Sequence, residues 1–156
     1  MNSVRLSLLT MCTSAVLLAG RAEGALAQAT ILTVAGTPTP FMITTAVAGS
    51  DPTAITNSLM TYFVKAKKPA GAQRIAAQLD SPMPPGTALT LQMSPSAGAT
   101  SLGPVALDMA PRDIVVNIDK DNGSTLGMTY VFSATAAAGV IPLQSRIVTF
   151  TMSNYP

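Results

Sequence analysis

Residues 112–133 read RDIVVNIDKDNGSTLGMTYVFS, and this stretch decides the class of fold. Ile114, Val116 and Ile118 alternate with Val115 and Asn117, and Met128, Tyr130 and Phe132 alternate with Thr129, Val131 and Ser133. A period of two puts each apolar set on one face of a pleated strand. Between the two runs stands Asp119-Lys120-Asp121-Asn122-Gly123, and Asn-Gly tolerates the positive φ that tight turns require. The stretch therefore predicts a β-hairpin with its turn over 119–123.

The same rhythm runs outward in both directions. Gly- and Pro-containing breaks recur at 36–38, 49–52, 68–71, 81–86, 94–98, 103–104, 110–111 and 139–142. Short runs rich in Thr, Val, Ile and Leu lie between them. Alternation predicts strands over 30–35, 41–47, 59–66, 74–79, 87–93, 105–107 and 147–153. Turn spacing near ten residues predicts an all-β, Ig-like β-sandwich of seven to nine strands in one domain. No stretch sustains a helical stripe over three turns; a single helical turn is admitted at 51–57, where Asp51-Pro52 has the form of an N-cap followed by proline.

The first 27 residues read as a targeting segment. Arg5 precedes an apolar run from Leu6 to Gly20, and Ala25-Leu26-Ala27 fits the small-x-small cleavage pattern. Cleavage after Ala27, with Ala29 as the alternative, leaves residues 28–156 as the exported domain. The run is shorter than the roughly 20 residues of a membrane span, so no stable span is expected.

Loss of Arg5, Arg21 and Glu23 takes the nine basic and seven acidic residues to seven and six, a net charge of +1. No basic face suggests a nucleic-acid partner. Residues 28–156 contain no His, Glu, Trp or Cys, since Cys12 and Glu23 lie in the leader. That excludes a Ser–His hydrolase and any thiol or disulfide chemistry. Paired-carboxylate chemistry would have to use two of six aspartates near turns or strand ends. The expectation is a non-enzymatic protein without a cofactor.

Three clusters were weighed for binding. Asp119, Asp121 and Asn122 offer oxygen ligands for calcium, but the helix-flanked loop pattern fails one residue before Gly123, and a polar hairpin tip is the simpler reading. Asn122-Gly123-Ser124 also fits the glycosylation triplet. Lys65, Lys67 and Lys68 read as guards of a strand end, with acidic glycans as the alternative. The tyrosines and phenylalanines fall in phase with aliphatics and read as core; exposed, Tyr62 and Tyr130 would instead mark a polysaccharide-binding face.

The C-terminal run Arg146-Ile147-Val148-Thr149-Phe150-Thr151-Met152-Ser153-Asn154-Tyr155 resembles the last strand of chaperone–usher pilin subunits and of related spore-coat-like secreted sandwiches. The strand over 30–35, directly after the leader, is similar in kind to a donor strand. The cysteine pair common in such pilins is absent. The resemblance implies a structural subunit of an extracellular or envelope assembly, self-associating by strand addition. Its plugs would be Leu32 and Val34, or Ile31, Thr33 and Ala35, with 36–40 as a stiff spacer. Pairing of this strand within its own domain is the competing expectation, and a monomeric secreted binding module for a polysaccharide or envelope partner is the alternative function.

Overall fold

In the computed structural model, residues 4–6, 30–44, 47, 49–66 and 71–155 are described. Two antiparallel sheets face one another. The first holds β2 (Ile31–Ala35), β4 (Ile55–Ala66), β10 (Asp121–Ala134), β6 (Thr87–Met93) and β8 (Val105–Ala106), in that order. The second runs β11 (Val148–Asn154), β5 (Gln73–Leu79), β9 (Arg112–Ile118) and β7 (Thr100–Ser101). A separate two-stranded ladder pairs β1 (Val4–Leu6) with β3 (Phe41–Ile43). This is the all-β sandwich expected. Among the described residues no helix is long and apolar enough to cross a membrane.

The layers follow from alternation. Met60, Tyr62 and Val64 of β4, Leu89, Leu91 and Met93 of β6, and Met128, Tyr130 and Phe132 of β10 point inward from the first sheet. Ile75, Ala77 and Leu79 of β5, with Ile114, Val115 and Ile118 of β9, meet them from the second. Leu89, Leu91 and Met93 have no exposed surface. Burying side chains of this size contributes about 1.5–3 kcal/mol each, so a disulfide is not required to hold the layers together. Phe41 joins the core from β3, its ring centroid 5.9 Å from that of Phe132.

The stretch 112–133 corrects the hairpin expectation. Its two strands belong to different sheets: β9 pairs with β5 and β7, whereas β10 pairs with β4 and β6. Asp119 and Lys120 carry the chain from one layer to the other. Asn117, at φ 58°, adopts the left-handed conformation that Asn tolerates, in a bulge just before this corner. Asn122-Gly123 is no turn; it is a bulge inside β10, where these two residues face Lys65 alone, between the pairs Asp121–Ala66 and Ser124–Val64. Gly123 has φ 123° there.

Other boundaries move less. The second expected strand is shorter, 41–43 in place of 41–47, and β7 was not anticipated. A bulge in β4 sets Ser58 and Leu59 against Thr129; the Asn57 carboxamide stabilises it by accepting the Leu59 N–H at 3.1 Å. No helical turn follows Asp51. Its carboxylate accepts the Ala136 N–H at 2.8 Å and so caps a distant 3₁₀ turn, Ala136–Ala138.

Candidate strand-addition edges

The two flanks of the sandwich end differently. On one flank the edge strands β7 and β8 are two residues each, and only Leu102–Pro104 separate them. On the other flank stand β2, five residues, and β11, seven residues. Neither contains a charge, a proline or a register shift. Natural sheets blunt their edges with such devices, because an unpaired row of N–H and C=O groups is a template for another strand.

β2 lies antiparallel on β4, with Ile31 opposite Lys65, Leu32 opposite Val64, Thr33 opposite Phe63, Val34 opposite Tyr62 and Ala35 opposite Thr61. The strand therefore pairs within its own domain in the isolated chain. Leu32 and Val34 turn toward the core, while Ile31, Thr33 and Ala35 face outward. Gly36 ends the strand at φ 101°; a Cβ there would stand 3.1 Å from the Leu59 carbonyl oxygen. Only glycine suits both the backbone angle and the close approach.

Val148, Phe150 and Met152 are the inward side chains of β11, and like Leu32 and Val34 they are half-buried. The inward side chains of the central strands β4 and β6 from Met60 onward are fully buried. Both edge strands thus pack apolar side chains on the core while leaving them partly exposed. On the outer surface, Arg74 of β5 ties the second sheet together: it donates to Asp113 of β9 at 3.0 Å and to Ser153 of β11 at 3.2 Å.

The remaining candidates fall elsewhere. Asp121 is buried at the bulge, where it accepts the Gly123 N–H at 2.7 Å and the Ser124 hydroxyl at 3.0 Å. Asp119 and Asn122 are exposed, and among the described residues no group of three acidic, His or Cys side chains converges as a metal site would require. Lys65 is half-buried in β4; Lys67 and Lys68 lie outside the described residues, as do residues 1–3 and 7–27 of the expected leader, whose Val4–Leu6 pair with β3. The sugar-binding face placed on Tyr62 and Tyr130 is overturned, because the two are 0% and 1% exposed. Tyr62 donates its hydroxyl to the Ser94 carbonyl. Burial, with the nearby Asp121 charge, pushes its pKa up to about 12, and burial alone raises that of Tyr130. A shallow cleft of about 450 Å³ opens between Pro84–Gly86 and Val140–Pro142, lined mostly by apolar groups.

No family model matches the chain, and no curated protein matches it. Among solved structures, a chain from a chaperone–usher pilus is similar, with a TM-score of 0.40 and 13% sequence identity over 91% of this chain and 100% of that one.

Proposed function

We propose that this chain is a non-enzymatic structural subunit of an extracellular or envelope assembly, self-associating by strand addition, with Ile31–Ala35 of one copy completing the sheet of the next. The supporting observation is the asymmetry of the flanks: two longer, charge-free edges with half-buried apolar side chains stand on one side, and two-residue strands on the other. An added strand satisfies the backbone groups of such an edge and packs alternate side chains beside its apolar ones. The same β2 that closes its own domain is the donor, exchanging from its own β4 onto that of a neighbour. Export and cleavage after Ala27 place β2 at the new N-terminus, free of a long preceding segment.

A cross-strand lock tests this. Ala35 and Thr61 are register partners, so Ala35→Cys with Thr61→Cys ties β2 to its own β4. The oxidised protein is expected to stay monomeric by light scattering and electron microscopy, and to assemble on reduction. Assembly with the disulfide intact would exclude residues 31–35 as the exchanging donor.

A further inference from the structure

We infer that Gln73 weakens the attachment of β2, so that the strand detaches from its own domain far more readily than its five register pairs suggest. Gln73 is the first residue of β5, paired with Asn154 of β11 on one side and Ile118 of β9 on the other. Its side chain takes an inward position and is 7% exposed. The amide nitrogen donates to the hydroxyl of Thr30, the residue just before β2, over a long 3.5 Å. The amide oxygen is buried without a hydrogen-bond partner among the described residues.

A buried acceptor with no donor carries the full cost of its lost hydration. Thr30, the residue that leads into β2, stands on the same carboxamide, so the closing of β2 shields this oxygen. When β2 lifts away, the oxygen regains water, and the open state recovers what the closed state lacks. An apolar side chain of the same length at this position removes the penalty from the closed state. The consequence for assembly rests on the strand-addition reading above; the detachment itself does not.

Hydrogen exchange on dilute, processed monomer tests the inference. Gln73→Met is the variant of matched length, and Gln73→Leu is a second one should the first not fold. In either, the amides of Ile31–Ala35 and of Thr61–Lys65 are expected to exchange roughly tenfold more slowly or better than in the parent chain, with β6 unchanged. The rate of assembly should fall by the same factor. Unchanged or faster exchange in the variants would overturn the role given to Gln73. Slower exchange with an unaltered assembly rate would uphold that role and instead refute exchange of β2 as the step on which assembly waits.

Discussion

The ring of Phe63 lies against Gly123: a Cβ on the glycine would stand 3.0 Å from the ring's Cζ. Phe63 points to the outer face of the first sheet, and the bulge in β10 offers it a bare backbone to cover. Gly123→Ala meets both that contact and φ 123°. Its expected cost is about 1–3 kcal/mol, read as a lower denaturation midpoint with an unchanged denaturant slope. Introduced on a Phe63→Ala background, Gly123→Ala should cost only the backbone part of that energy.

Alkaline pH should unfold the protein through its buried tyrosines. Tyr62 and Tyr130 keep their protons in the fold well past the point where an exposed phenol releases its own, near pH 10. The folded state thus holds more protons than the unfolded one at high pH. Their contribution is fully present below pH 10 and is lost as pH rises toward 12 and beyond, at up to about 1.4 kcal/mol per pH unit for each. Phenolate absorbance should rise in step with loss of the circular dichroism signal. Ionisation of both at pH 11 in a protein that stays folded would contradict their burial.

Lysines on the open edges should separate folding from assembly. Thr33 of β2 faces outward and is exposed, as is Thr151 of β11. Thr33→Lys with Thr151→Lys adds the charge that native edge strands use against pairing. Monomer stability is expected to stay within about 0.5 kcal/mol per site, while filament yield falls sharply and recovers in part at high salt. Full assembly by the double variant would mean that neither edge is used.

Gly36→Ala should loosen β2 selectively. Alanine is disfavoured at φ 101°, and its Cβ would press on the Leu59 carbonyl and on Met60 Cα, both of them backbone atoms that cannot rotate aside. Limited proteolysis near residues 31–40 should quicken at a temperature where the rest of the sandwich resists.

The sheet elements with a partnered, half-polar outer face were legible in the residues. β6 and β11 keep their alternation because one side meets the core and the other meets water. The inward set Val148, Phe150 and Met152 could be named without coordinates for that reason. Alternation in Ile114–Ile118 and Met128–Phe132 reports which side chains share a face, and says nothing of which strand lies alongside. Asn122-Gly123 looked like a turn because the positive φ that suits a turn also suits a bulge. The corner at Asp119-Lys120 has no such signature. Asp51 was read as capping the residues after it, because a cap that reaches across the fold to Ala136 leaves no local pattern. At the candidate site, the strand 31–35 was legible as a unit, but which strands stand at the edges depends on the order of strands in both sheets, and so does the meeting of Gln73 with Thr30.

In the processed subunit proposed above, β2, its first strand, ends one sheet and β11, its last, ends the other. Tension applied at the two termini of a subunit enters through β2 and leaves through β11. It cannot run along a single ladder of hydrogen bonds. It must pass through the interdigitated side chains between the layers, or through the covalent corner at Asp119-Lys120. A pulled subunit should therefore yield first by peeling at its margins, with the central strands β4, β10, β5 and β9 holding until the load exceeds what the packed interior can bear.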